Sequence, residues 1–291
     1  MKKILFVTEF EELWFDALQS IMTLDKAGLN HVVFLHVIQR DKVAMHRGVG
    51  YHKSEEIKLK EMANVRFIDW AESLFEQGLE VGAHIVVGDV VPKIISTVKD
   101  EGVDLIITRF HKRSKLKDLY SDSEIVDVIR RTSTPILVHK YKLESGKTND
   151  EPFRIPLLAI DWSTEYQKSI DFLLGIKDIV KKVQVVHVLS EKSFGGSTAM
   201  EVQKHRKENR EKLEEICEIF LKEGVEAEPH LYVGDTVDQI EKAAKERNAS
   251  LIVVGVTDKG PIKDKLLSSV PSKLYKHSKL STLFIPLEKG N

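Results

Sequence analysis

One cysteine, Cys217, occurs in the 291 residues. No disulfide can close within such a chain, which points to a reducing, cytoplasmic setting. Cys217 falls in a helical stripe with Leu213, Ile216 and Phe220, where a thiol serves as a small buried apolar group rather than a reactive one. Net charge is lacking as well: 44 Lys and Arg stand against 45 Asp and Glu, a formal charge of -1. A dedicated nucleic-acid binder needs a basic excess to meet phosphates, and so does a surface that seeks anionic lipid; neither class is expected. No run approaches the roughly 20 apolar residues of a membrane helix. The apolar part of the opening MKKILFVTEF is too short for a secretory signal and no small-residue cleavage site follows, so the chain is expected to stay where it is made. There is no G-x-S-x-G elbow, no P-loop ending in Lys-Ser/Thr and no H-E-x-x-H, and nothing marks a carboxylate pair as acid and base. An enzyme is therefore not expected; nucleotide hydrolysis, if any, would be slow or incidental.

What the sequence does hold is a repeat. VVGDVVPKI at Val86–Ile94 faces YVGDTVDQI at Tyr232–Ile240, and VDLIITR at Val103–Arg109 faces ASLIVVG at Ala249–Gly255. SEIVDVIRR (Ser123–Arg131) faces SVPSKLYKH (Ser269–His277), with no gap between the three pairs. Earlier, FLHVI (Phe34–Ile38) faces VVHVL (Val185–Leu189), and KKILFVTEF faces RIPLLAIDW (Arg154–Trp162). Two domains result, 1–140 and 153–291. The polar stretch between them, Tyr141–Pro152, reads as an exposed linker.

Each half alternates strand and helix. Lys3–Val7 fits a buried strand; Trp14, Ala17, Leu18 and Ile21 then recur at helical spacing until Gly28. Val32–Val37 is a second strand, and a long helix covers roughly Glu55–Gln77. A third strand ends at Gly88. Asp89 and Asp235 stand where helix N-caps belong. Leu105–Thr108 and Leu251–Val254 are continuously apolar, as a buried parallel sheet requires. Pro135–His139 and Thr282–Pro286 close the two halves. The alternation implies α/β architecture with a doubly wound parallel sheet.

In such a sheet a ligand sits beyond the carboxyl ends of strands where their order reverses. That directs attention to Asp161 and Gly255 in the second half. Ser268 and Ser269 precede a helix with Pro271 in its first turn, and a helix N-terminus can hold phosphate. The plain alternatives stand beside these: Asp161 as the cap of a helix near Ser163, Ser268 and Ser269 as ordinary caps, Gly255 as a turn glycine.

The whole pattern resembles the universal stress protein family over nearly all of both halves. The resemblance implies two tandem, doubly wound, five-stranded parallel sheets of the adenine nucleotide alpha hydrolase-like type. Nucleotide-binding members carry an aspartate after the first strand. After the fourth they carry glycine, two residues, glycine, nine residues, then glycine and serine or threonine. The resemblance makes Asp161 and Val188 the adenosine side of a site. Val254, Gly255, Ser268, Ser269 and Val270 fall along the glycine pattern. Asp258 stands at the second glycine and Ser268 at the third, so the phosphate loop is altered. Lys259, Lys263 and Lys265 could offset the Asp258 charge, and Gly260 could re-shape the loop. In the first half Glu9 replaces the aspartate, and Arg109, Lys112 and Asp122 replace the glycines; only Ser123 is kept. That half is expected to bind no nucleotide in the family manner.

The function so implied is a stress-response binding or regulatory protein whose second domain takes AMP, ADP or ATP, with no metal expected. The rival reading is a nucleotide-free scaffold acting through protein–protein contacts. The two halves are expected to pair with each other through Ile136–Val138 and Thr282–Ile285, as domains of the family do; dimerisation of the chain is left open. His46 and His52, near Asp41, lack a third metal ligand. His36 and His187 occupy equivalent strand positions and are not expected to be ligands. The basic HKRSKLKD (His111–Asp118) reads as a solvated loop, and the charged stretch around Glu201–Lys222 as an exposed helical face with internal ion pairs.

Overall fold

The computed structural model describes residues 1–8, 10, 12–44, 52–109, 122–143, 145–162, 166–191, 198–256 and 270–286, with residues 12, 13, 122 and 123 through their backbone alone. The chain divides into two compact units, Met1–His139 and Lys140–Asn291.

The first unit runs β1 (Lys3–Val7), α1 (Glu12–Ser20), β2 (His31–Ile38), α2 (Arg40–Val43), α3 (Lys53–Glu76), β3 (Glu80–Val87), α4 (Val90–Glu101), β4 (Leu105–Arg109), α5 (Asp122–Arg131) and β5 (Ile136–His139). Its strands are all parallel, in the order β3-β2-β1-β4-β5. The second unit repeats the plan: β6 (Pro156–Ile160), α6 (Gln167–Leu174), β7 (Lys182–Leu189), α7 (Ala199–Lys222), β8 (Glu226–Val233), α8 (Thr236–Glu246), β9 (Leu251–Val256), α9 (Val270–His277) and β10 (Ser281–Pro286). Its order is β8-β7-β6-β9-β10, again parallel.

Burial explains the order. β1 and β4 carry Ile4, Leu5, Phe6, Leu105 and Ile107 at zero or near-zero exposure, because helices cover both faces of a parallel sheet. Each such side chain contributes roughly 1.5–3 kcal/mol relative to exposure. β3 and β8 end their sheets and are half-buried along most of their length. Phe6, Phe10, Trp14, Phe34 and Trp70 form an aromatic cluster in the first unit, with centroids 5.0 Å apart for Phe6–Trp14 and 5.2 Å for Phe10–Trp70. Leu213, Ile216, Cys217 and Phe220 are buried along one side of α7, the face their spacing implies.

Two expectations need correction and a third is refined. The first helix does not run unbroken to Gly28: α1 stops at Ser20, and a tighter 3-10 segment, Met22–Ala27, carries the chain to Gly28 at φ 92. Glycine adopts that left-handed conformation without a Cβ penalty. Of the two aspartate caps, Asp235 does accept from the Val237 and Asp238 amides, whereas Asp89 sits in the capping position without such a bond and lies 3.7 Å from Arg40 instead. Nor is Tyr141–Pro152 simply an exposed connector. Leu143 N–H donates to the Lys147 carbonyl in a tight reversal, and Asn149 and Pro152 are buried. Asn149 Nδ2 donates to the Ser250 carbonyl at 2.9 Å, and Ser250 Oγ donates to the Pro152 carbonyl at 2.9 Å. Those bonds stitch the stretch to the start of β9, and a composition rule has no view of them.

His139 ends β5 fully buried, with Nε2 2.9 Å from Ser20 Oγ. Burial pushes its pKa down to about 3 from an ordinary 6.5. The unfolded imidazole takes a proton below about pH 6.5 and the folded one only below about 3, so protons favour unfolding across that window. We expect the unfolding free energy from urea titration to fall as pH drops from 7 to 5, by an amount on the order of a few kcal/mol at full effect. His139→Gln, which keeps a donor for Ser20 Oγ because the Ser20 hydroxyl itself donates to the Ala17 carbonyl, should flatten that slope; an unchanged slope would contradict the assignment.

Candidate functional site

β6 lies between β7 and β9, so the chain leaves β6 toward one side of the sheet and returns to β9 from the other. Right-handed crossovers put α6 and α7 on one face and α8 and α9 on the opposite face. Beyond the carboxyl ends of β6 and β9 the backbone parts, and a crevice opens there. It holds a cavity of about 390 Å³. Small-molecule sites typically measure about 300–1,000 Å³.

The structure brings Asp161, Val188, Val254, Gly255 and Val270 together around this cavity, although they are widely separated in sequence. Asp161 leaves the end of β6 exposed; Val254 is buried and Gly255 half-buried in β9; Val270 opens α9. Ser268 and Ser269 lie outside the described residues, as do Asp258, Lys259, Gly260, Lys263 and Lys265. The capping alternative for Asp161 falls on residues 163–165, which lie outside the described residues; the helix described next, α6, begins at Gln167. Sequence reasoning missed Thr236 and Ile240, which reach the cavity from α8, and Pro271 beside Val270. The signal for Thr236 was present: it follows the repeated Gly-Asp turn. Gly234 takes φ 140 there, and a Cβ on it would come 3.0 Å from Gln239 Nε2.

The two strand histidines are not idle. His187 Nδ1 donates to the Ile160 carbonyl at 2.7 Å, and His36 Nδ1 donates to the Thr8 carbonyl at 2.9 Å. Burial is the main cause that lowers both pKa values, so each ring is held neutral with a single N–H. For His187 the hydrogen bond and the Asp161 charge oppose that effect, while Lys212 adds to it. Two residues after each clamped strand end, a bulky side chain adopts positive φ: Phe10 at 56 and Trp162 at 59. Such backbone costs about 1–2 kcal/mol and persists only where the surroundings fix it. Phe10 is fixed by its N–H to Thr8 Oγ1 at 2.8 Å and by Arg66 donating to its carbonyl. Trp162 donates Nε1–H to Asn209 Oδ1 at 2.7 Å, lies 4.9 Å from the His187 ring and has Lys212 Nζ 5.4 Å from its centroid. Asp161 is thereby presented from a backbone held on both sides.

The first unit has the same frame with other side chains. Arg109, half-buried, stands at the Gly255 position, and Thr108 at that of Val254. Glu9 and Lys112 lie outside the described residues, and so do the side chains of Asp122 and Ser123. His46 and the His111–Asp118 loop also lie outside them. Among the described residues no group of three or more His, Cys, Asp or Glu converges as a metal site, and no helix is long and apolar enough to cross a membrane.

The model of the Universal stress protein family matches residues 1–140 and again residues 153–286. The chain belongs to the universal stress protein family. Universal stress protein MJ0577 of Methanocaldococcus jannaschii is 34% identical over 155 residues, which is 48% of this chain and 96% of that relative. A universal stress protein from Archaeoglobus fulgidus DSM 4304 superposes with a TM-score of 0.73 at 19% identity, covering 99% of this chain and 97% of its own. A Pseudomonas aeruginosa UCBPP-PA14 protein assigned to the same family superposes at 0.63 and 18% identity, covering 99% and 94%. At those identities the two structures bear on the fold alone. They cover both halves of this chain, in keeping with a tandem universal stress protein.

Cys217 lies 4% exposed, and burial pushes its thiol up to about 12, with Glu214 and Glu228 adding to the effect. A thiol so seldom ionised is a poor nucleophile. We expect a thiol reagent at pH 8 to leave the native protein unlabelled and to label one group per chain in denaturant. Rapid native labelling would contradict this burial.

Proposed function

We propose that the second unit of this universal stress protein binds an adenine nucleotide in the cavity beyond β6 and β9, and that the protein acts as a non-catalytic binding or regulatory module in a stress response. The observation that carries this reading is the convergence of Asp161, Val188, Gly255 and Val270 on one cavity of about 390 Å³ at the reversal of strand order. In nucleotide-binding members of the family, the matching positions serve nucleotide. Asp161 would accept hydrogen bonds from the adenosine portion, while Val188 and Val254 supply apolar contact. Ser268 and Ser269, just before α9, would receive phosphate near a helix N-terminus. The phosphate side is altered by Asp258, whose charge disfavours a long polyphosphate. AMP and ADP are thus proposed as ligands at least as good as ATP. Nothing in the donor set calls for a metal of the protein's own.

Isothermal titration of the full chain with AMP, ADP and ATP tests this. We expect binding of at least one of the three. Asp161→Ala should weaken it about tenfold, the loss of hydrogen bonds to a charged group. Gly255→Trp should abolish it, since Gly255 lines the cavity. Absence of heat with all three nucleotides, with circular dichroism unchanged, would sink the proposal and leave a nucleotide-free scaffold.

A further inference from the structure

α3 and α7 are equivalent helices of 24 residues, yet they present opposite outer faces. α7 neutralises itself: Lys204–Glu208, Lys207–Glu211, Arg210–Glu214 and Lys222–Glu218 are ion pairs at i,i+4. α3 does this only in its first turns, where Lys60 meets Glu56 at 2.7 Å. Along its length it also exposes a row of large apolar side chains. Ile57, Ile68 and Phe75 are 48%, 60% and 59% exposed, and Val65 beside them is 62% exposed. The first three fall on one line, because their separations amount to about three and about two helical turns. The buried side of α3, which includes Trp70 and Leu74, points elsewhere.

Carboxylates run along the same outer face. Among the described residues Glu61, Asp69, Glu72 and Glu76 have no ion-pair partner, unlike the acids of α7. Glu72 and Glu76 stand at i,i+4, where like charges repel. They also crowd the negative end of the helix dipole, and the last turn of α3 holds no basic residue. This charge is local, since the chain as a whole carries only -1. Apolar side chains left in water gain nothing from folding, uncompensated acids at the helix C-terminus weaken α3, and one kind of partner would relieve both.

We propose that the outer face of α3 is a docking surface for a basic amphipathic helix of a partner protein. The partner's apolar stripe would cover Ile57, Val65, Ile68 and Phe75, and its Lys or Arg side chains would meet Asp69, Glu72 and Glu76. Charge selects this occupant over two others. A second copy laid across the same face sets acidic flank on acidic flank, and an anionic lipid surface is repelled by it. The proposal is independent of nucleotide binding in the second unit.

The probe is a fluorescein-labelled amphipathic peptide of leucine and lysine, about 18 residues or five turns long, with a leucine and glutamate twin as control. Fluorescence anisotropy with the full chain should show binding of the lysine peptide that weakens with added salt. Ile68→Ser and Phe75→Ser change exposed side chains, so the fold should survive, as thermal melts would verify; each should weaken binding by about tenfold. Glu72→Lys combined with Glu76→Lys should reverse the preference toward the glutamate twin. Equal binding by wild type and variants would overturn the proposal. So would a dimer in sedimentation that Phe75→Ser dissociates, which would assign the face to a second copy. Flotation with phosphatidylserine vesicles that Phe75→Ser abolishes would assign it to a membrane.

Discussion

In each unit a buried imidazole on the second strand donates its one proton to the backbone at the end of the first strand: His36 to Thr8 and His187 to Ile160. The bond ties two parallel strands together just where the ladder between them runs out. It also fixes the direction in which the chain departs. The chain then turns through a left-handed step at Phe10 or Trp162, and in the second unit Asp161 lies between clamp and step. A carbonyl left unpaired there would cost about 1–3 kcal/mol, and the turn would lose one of its fixed ends. The crevice at the reversal of strand order depends on this arrangement, because Asp161 forms part of its wall.

From a common frame the units have diverged in their side chains. The first packs an aromatic cluster around Phe6, Phe34 and Trp70 and sets Arg109 where the second has Gly255. The second ties Trp162 to α7 through Asn209 and keeps an open cavity. The outer helices have diverged too: α7 is ion-paired along its length, and α3 is apolar and acidic.

Much of the fold was legible because parallel sheets enforce a strong pattern. Apolar runs such as Leu105–Thr108 and Leu251–Val254 have one reading, and the repeat doubled each observation. What escaped notice depends on contacts distant in sequence. The break in the first helix at Ile21, the missing Asp89 bond and the burial of Asn149 against Ser250 are set by neighbours that no local window contains. At the site, Asp161 and Gly255 could be found from position at the end of a strand, while Val188, Val254 and Val270 came from the resemblance to the family. Thr236 left only its place after the repeated Gly-Asp turn as a signal, and Ile240 could not be found, because it enters on a helix whose own pattern only reports that it is buried. His36 and His187 read as plain strand residues, since a side chain bonding a neighbouring strand's carbonyl leaves no trace in hydropathy.

The central claim is that two units of one fold give a single nucleotide site. Equilibrium dialysis of the full chain against saturating AMP, ADP and ATP in turn, with bound nucleotide counted per chain, tests it most directly. The account predicts one nucleotide per chain for at least one of the three, lost in Gly255→Trp and kept in Arg109→Ala. Two per chain, or one that survives Gly255→Trp, would contradict it.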